Sequence, residues 1–281
     1  MTPDDLQRIG ASSGWRARRT EVVRGTSVGD VVVKGQRAPR PAWRYRLLNA
    51  AATALGEPLL RAAPAHGGAR AQAIEVRRLR ALGAAGLPVP EVLHVAGDYF
   101  VQRWLGAQTL DRLLHQDDEA ALVWWQRGLH SLVAVHQCGQ ALSQAFTRNF
   151  VVHGDALAMI DFEDDPLEVM PLEQAQARDW LAYLHSTARE LAPAWLARTA
   201  TLAPLLREAL AQDSAAVRLQ VQRSARRLRW LRRLPLDRAR GRRGWRRHLL
   251  ILQDAVGLAL AAAEPSGPSA ESTEVSHARH H

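Results

Sequence analysis

The sequence predicts an α+β fold in two lobes, and three observations lead there. Clusters of β-branched residues separated by glycine-containing turns dominate the early part of the chain. A second pair of short strands around a tight turn follows near the middle. From residue 173 to about 263 the apolar residues recur at helical spacing. Strands first, a strand-and-loop region next and helices last is the order of a two-lobed α+β protein. The chain of 281 residues is 47% apolar and 23% charged, enough for one bilobal domain or two small ones.

The elements follow in order. Glu21-Val22-Val23 and Val31-Val32-Val33 predict two strands within residues 16–34, joined by the turn Arg24 to Asp30. Residues 43–56 read as helix, and Ala62 to Gly68 as loop. A helix from Ala69 to Leu82 stops at Gly83-Ala84-Ala85-Gly86-Leu87-Pro88. Strands at about 91–96 and 99–104 flank Gly97-Asp98, and Thr109 caps a short helix through Leu114. After Gln116-Asp117-Asp118-Glu119 comes a helix with Leu122, Trp125, Leu129, Leu132, Val133 and His136 on one face, ending at Cys138-Gly139. A loop over 140–149 leads to strands 150–152 and 157–160 around His153-Gly154-Asp155. The helix of 173–191 buries Ala177, Trp180, Leu181, Leu184, Ala188 and Leu191, and further helices cover 194–211, 214–233 and 238–263. Residues 264–281 read as a disordered tail, and His277, His280 and His281 as its solvated end.

Composition excludes several classes. The single cysteine, Cys138, rules out a disulfide framework and a cysteine-based zinc site. The most apolar run, Leu249 to Ala263, is interrupted by Gln253 and Asp254, so no membrane span is expected. The acidic N-terminus lacks a secretory signal pattern, and the expected location is the cytoplasm. Net charge is +9, but residues 218–247 hold 13 Arg against Asp237, leaving the rest of the chain at −3. Of 37 basic residues, 36 are Arg and one is Lys, Lys34. In a chain that otherwise uses arginine, a lone lysine marks a position where a compact ammonium cannot be exchanged for a planar guanidinium, or has survived by chance.

Two arrangements carry chemistry. On the helix of 69–82, Ala71, Glu75, Leu79 and Leu82 share one face. A carboxylate on an apolar stripe needs a cation; Lys34 is one candidate, and Arg78 on the same helix is the other. The second arrangement is the loop Ser143-Gln144-Ala145-Phe146-Thr147-Arg148-Asn149 and the hairpin ending in Asp161-Phe162-Glu163. Asn149 and Asp161, brought together across a hairpin, offer oxygen ligands suited to Mg²⁺, and Glu163 could add another. Taken singly, an Asn or an Asp here would do no more than cap a turn.

In this order, Val31-Val32-Val33-Lys34, Glu75 on a helix, the loop ending in Asn149 and Asp161-Phe162-Glu163 resemble the protein-kinase-like fold. The chain looks most like the compact bacterial lipopolysaccharide (Kdo) kinases and related small atypical kinases. The likeness runs over roughly residues 15–190 and includes Leu87-Pro88-Val89-Pro90-Glu91 and the hinge-like Tyr99 to Gly106. It implies a strand-rich lobe over 1–104, a helical lobe over 105–263, and ATP with Mg²⁺ held between them. By the resemblance, Lys34 contacts the nucleotide phosphates and pairs with Glu75, while Asn149 and Asp161 hold Mg²⁺ with Glu163 assisting. The lone lysine standing at the family's lysine position argues against chance survival.

The departures define the problem. The family's catalytic aspartate stands five residues before the asparagine, where this chain has Gln144. His153-Gly154-Asp155 spells a phosphotransferase motif but follows Asn149 instead of preceding it, and reads as a hairpin turn. The glycine-rich phosphate loop is missing; Gly25 and Gly29 are poor substitutes. Since a positioned base contributes about 10²–10⁴-fold, feeble phosphoryl transfer or none is expected. Asp164 or Asp165 is a candidate displaced base. A pseudokinase, binding nucleotide as a scaffold or regulator at the inner membrane face, is the alternative. Asp179 either bonds back to the catalytic loop, as the resemblance implies, or pairs with an arginine at the surface. His136 reads as a satisfied core histidine. The basic segment 218–247 is a solvated helix pair, a surface for anionic lipid or lipopolysaccharide with Trp230, Leu231, Leu234 and Trp245 at the interface, or, less favoured, a nucleic-acid contact.

Overall fold

The N-terminus begins with a helix start signal: Thr2, Pro3 at the first helical position and Asp5 three residues on. In the structure, a computed structural model that describes residues 1–38, 42–54, 56–64, 66–116, 119–191, 197–235 and 245–264, that signal is used. Thr2 and Asp5 form a reciprocal capping box at the head of α1 (Pro3–Ala11), and α2 (Gly14–Arg18) follows. The expectation that strands open the chain is therefore corrected. Both helices are short and were masked by the β-branched runs behind them.

β1 (Thr20–Thr26) and β2 (Gly29–Gly35) pair antiparallel through a turn of only Ser27 and Val28, tighter than the Arg24-to-Asp30 turn expected. β3 (Val92–Val95) and β4 (Tyr99–Arg103) complete a four-stranded antiparallel sheet in the order β1-β2-β4-β3. Alternation along β2 and β4 sorts the side chains by face. Val31, Val33, Tyr99 and Val101 join Ile9 and Trp15 in a small core beneath α1 and α2. The opposite face carries Phe100 toward the larger core, and Lys34 lies directly across from Phe100 in the β2–β4 ladder.

The main core is helical. Before β3 come α3 (Ala42–Ala54), a 3₁₀ turn at Pro58–Leu60 and α4 (Gly68–Ala84). After β4 come α5 (Leu110–Leu114) and α6 (Glu119–Gln137). The hairpin β5 (Phe150–His153) and β6 (Ala156–Met159) precedes α7 (Leu172–Glu190). Last come α8 (Thr199–Ala211), α9 (Ala215–Leu228) and α10 (Trp245–Ala263). Trp125 of α6 and Trp180 and Tyr183 of α7 are fully buried at its centre, with the Tyr183 hydroxyl donating to the Trp125 carbonyl at 2.7 Å. The β5–β6 turn falls where expected but is tighter, Gly154-Asp155 alone, because His153 still pairs with Ala156. The helix expected over 214–233 ends at Leu228 and tightens into a 3₁₀ turn over Arg229–Arg233. The proposed tail beyond Glu264, with its three histidines, lies outside the described residues, as does the whole stretch between Pro235 and Trp245. No described helix is long and apolar enough to cross a membrane.

Candidate functional site

Lys34 ends up buried because β2 alternates. With Val31 and Val33 committed to the α1/α2 side, Lys34 must point toward α4 and the helical body, where it is 9% exposed. Glu75 meets it there from the buried stripe of α4, beside Ile74, Leu79 and Leu82. The Lys34 ammonium donates to Glu75 Oε1 through a short contact and to Asp161 Oδ1 at 3.3 Å. Burial works against the charge on Lys34, but Glu75 and Asp161 outweigh it and hold the amine above its ordinary value, with Arg19 opposing. The lone lysine is thus a charged amine between two carboxylates brought from sequence positions far from it.

The alternative partner for Glu75 on its own helix is otherwise engaged. Arg78 donates to the carbonyls of Ala141, Leu142 and Asp164 and lies 5.2 Å from the Phe162 ring centroid. It ties α4 to both segments that carry the remaining candidate residues. The sequence reading missed this role, although Arg78 occupies the same buried stripe as Glu75.

The hairpin delivers the other two residues. Phe150 pairs with Met159, so Asn149 and Ile160 sit opposite one another just beyond the ladder, and the Ile160 amide donates to the Asn149 carbonyl at 2.9 Å. Asp161 follows at once, in a left-handed conformation with φ 72°, uncommon for a non-glycine residue and typical of constrained functional positions. Its side chain is 32% exposed, whereas Asn149 is buried and donates its side-chain amide to the Gln144 carbonyl at 3.0 Å.

Glu163 departs from expectation. Predicted as a third metal oxygen, it has both oxygens taken: Arg19 donates to Oε1 through a short contact and Arg37 to Oε2 at 2.8 Å. Gln144 donates its side-chain amide to Asp164 Oδ2 at 2.8 Å, placing a carboxylate beside the position that lacks a base. Asp165, the other candidate, is engaged elsewhere, pairing with Arg77 at 2.7 Å and capping the turn at Pro166–Glu168. The donor set that remains, a carboxamide and the partly exposed Asp161 carboxylate, has the hard oxygen chemistry that Mg²⁺ takes with phosphate and water, so the residues fit that ion. Among the described residues no group of three or more His, Cys, Asp or Glu is arranged to hold a metal by itself.

The loop is anchored from below. Asp179 of α7 is completely buried and accepts the backbone amides of Leu142 and Ser143, the latter at 2.8 Å. Of the two readings open for Asp179, the bond back to the loop is the one observed. His136 sits beneath, with Nδ1 2.6 Å from Asp213 Oδ2 and Nε2 3.6 Å from Asp179 Oδ2; Asp213 also accepts from Trp180 Nε1 at 2.7 Å. It is a core histidine, as expected, but only half satisfied: Nδ1 is bonded to Asp213, a partner not foreseen, while Nε2 is buried without a hydrogen-bond partner and meets Asp179 only as a charge.

Burial disfavours the His136 imidazolium, but Asp179 and Asp213 more than compensate and raise its pKa, while the His136 contact lowers that of Asp213 against its own desolvation. A raised histidine stabilises the fold fully below the ordinary value of 6.5 and loses that contribution as pH climbs through its folded value. A lowered aspartate contributes above 3.8 and loses it as pH falls. The urea midpoint is therefore expected to decline as pH rises above the ordinary histidine value of 6.5, and His136→Gln to flatten that decline; a wild-type midpoint that does not fall above 6.5 rejects the assignment.

The basic segment is only partly in view. Arg218 and Arg227 cap backbone carbonyls of Asp213 and Gly56. Trp230 is 47% exposed, but Leu231 is buried in the core and cannot reach a membrane interface, a correction to the proposed apolar contact. The Trp245 side chain and residues 236–244 lie outside the described residues. No protein-family model matches the chain, and a search of curated proteins finds no match.

Proposed function

We propose that this chain is an ATP–Mg²⁺-binding protein with a bilobal protein-kinase-like arrangement, built for phosphoryl transfer to a hydroxyl but carrying a degenerate catalytic loop. The observation that carries the reading is the Lys34 ammonium set between Glu75 and Asp161. The sheet order, the helix bearing Glu75 behind it and the hairpin that ends in Asp161 support the same reading.

In this arrangement Glu75 holds the Lys34 amine in place and charged, so that it can neutralise phosphate oxygens. Asn149 and Asp161 supply oxygen ligands to Mg²⁺, and the bound ion supplies further neutralisation of phosphate charge. Arg78 and Asp179 fix the loop and the post-hairpin segment on which those groups ride. Positioning and electrostatics of this kind account for most of what a protein contributes to phosphoryl transfer. The acceptor we favour is a hydroxyl on an anionic sugar lipid, with the arginines of 218–247 facing the inner membrane surface.

Gln144 favours a second reading, a pseudokinase that binds nucleotide without turnover, because an amide takes no proton from an acceptor hydroxyl. Asp164, beside Gln144, is the carboxylate on which residual turnover would depend. The test is a thermal shift with ATP plus Mg²⁺, followed by an assay of ATP consumption. A rise in melting temperature that disappears in Asp161→Ala is expected; no shift in the wild type rejects nucleotide binding. Turnover lost in Asp164→Asn with binding retained supports the enzyme, and binding without turnover even in Gln144→Asp supports the pseudokinase. Salt-sensitive binding to anionic vesicles but not to DNA is expected if 218–247 faces lipid; the reverse selects the nucleic-acid reading.

A further inference from the structure

The nucleotide reading leaves the phosphates short of donors. The β1–β2 connection, where a glycine-rich loop would be sought, is a two-residue turn fastened at both sides. Asp5 accepts from the Ser27 amide at 3.1 Å and its hydroxyl at 2.6 Å, and Asp30 accepts from the Gly25 amide at 3.0 Å. No run of free amides is offered there. Two guanidiniums stand instead at the other end of the same hairpin, the end that carries Lys34. Arg19 ends α2 in a left-handed conformation with φ 69°, and Arg37 stands two residues beyond β2. Both reach Glu163, two residues past Asp161.

The charges explain why Glu163 is there. Arg19 acts repulsively on Lys34, so the two cations share one neighbourhood. Glu163 has a side chain only 7% exposed, and it is held by guanidiniums that are themselves only 31% and 27% exposed. Three cations, Lys34, Arg19 and Arg37, are thereby balanced by three carboxylates, Glu75, Asp161 and Glu163. Among the described residues the Arg19 Nε–H is buried with no hydrogen-bond acceptor, so this guanidinium is not saturated by its carboxylate. The left-handed backbone at Arg19 is the common way for a helix to end, and here it turns the chain from α2 into β1. Guanidiniums that hold a carboxylate through charge-assisted hydrogen bonds hold a phosphate in the same way.

We propose that Arg19 and Arg37 are polyphosphate-binding residues that, with Lys34, replace the missing glycine-rich loop, and that Glu163 is an intramolecular carboxylate occupying them until phosphate displaces it. The inference rests on the nucleotide reading and specifies how that site takes its triphosphate. It also reverses the expected role of Glu163, from a metal ligand that aids binding to a competitor that weakens it. A triphosphate carries more negative charge than the carboxylate it displaces and offers oxygens for the unsatisfied Arg19 Nε–H.

The test is isothermal titration of the full chain with ATP–Mg²⁺, inorganic tripolyphosphate and adenosine. Arg19→Gln and Arg37→Gln are each expected to weaken ATP–Mg²⁺ and tripolyphosphate by about tenfold or more and to leave adenosine unchanged. Glu163→Gln is expected to tighten both phosphate ligands by about tenfold, a gain that misfolding cannot produce. Wild-type affinity for tripolyphosphate in both arginine variants, or equal or weaker affinity in Glu163→Gln, overturns the proposal. So does absence of tripolyphosphate binding in both the wild type and Glu163→Gln. If ATP binding requires Lys34 and Asp161 but ignores both arginines, this inference falls and the nucleotide reading stands. If tripolyphosphate binds through the arginines while neither ATP nor adenosine binds, the nucleotide reading falls and the anion site stands.

Discussion

Lys34→Met will destabilise the protein by about 3–5 kcal/mol, and Lys34→Met/Glu75→Leu will recover most of that loss without recovering nucleotide binding. The reason lies in the burial of Glu75, which is 3% exposed on the apolar stripe of α4. Removing the ammonium leaves that carboxylate desolvated and unpaired, the costly half of a broken buried ion pair. Removing both charges lets two apolar side chains meet in the space, which is frequently neutral or favourable. Urea unfolding reads the stability, and the ATP–Mg²⁺ thermal shift reads the binding. A double variant that is stable and still binds nucleotide through Asp161 would show the pair to be structural only. A single variant that loses no stability would show that Glu75 finds another cation.

The other large effect is expected at Asp179. Asp179→Ala removes the acceptor of two loop amides, Leu142 and Ser143, and one of the two carboxylates flanking His136. All of these groups are buried, so the amides lose their partner with no water to replace it. A loss of about 3–5 kcal/mol is expected, with the 140–149 loop freed and nucleotide affinity reduced through Asn149. Asp179→Asn should recover part of the stability, because the carboxamide oxygen still accepts one amide, but it cannot balance the imidazolium. Urea unfolding combined with amide exchange at Leu142 and Ser143 checks both parts. Unchanged exchange at those amides in Asp179→Ala would refute the anchoring role.

How much was legible before the structure follows from the range of each signal. Periodicity is local, so α4, α6, α7 and the three hairpins β1–β2, β3–β4 and β5–β6 fall within a few residues of where alternation and helical spacing put them. Capping chemistry is local too: the Thr2-Pro3-Asp5 signal for α1 was present in the sequence and was overlooked. Arg78 was available on the buried stripe, but nothing local says that it serves the 141–142 carbonyls instead of Glu75. Glu163 was misassigned for the same reason. Its proximity to Asp161 suggested a shared ion, whereas its partner Arg19 lies 144 positions away.

By itself the sequence determined the α+β class, the segments that form helix and strand, and the peculiarity of a single lysine at the end of a strand, because each depends on side-chain pattern over a few residues. Only the tertiary structure decided which charge meets which: that Glu75 faces Lys34, that Asp179 holds the loop, that Asp213 holds His136 and that Glu163 belongs to two arginines. Many acids and 36 arginines make the possible ion pairs far more numerous than the spacing rules can sort. The choice among them is made by desolvation and sheet register, which exist only once the chain has packed.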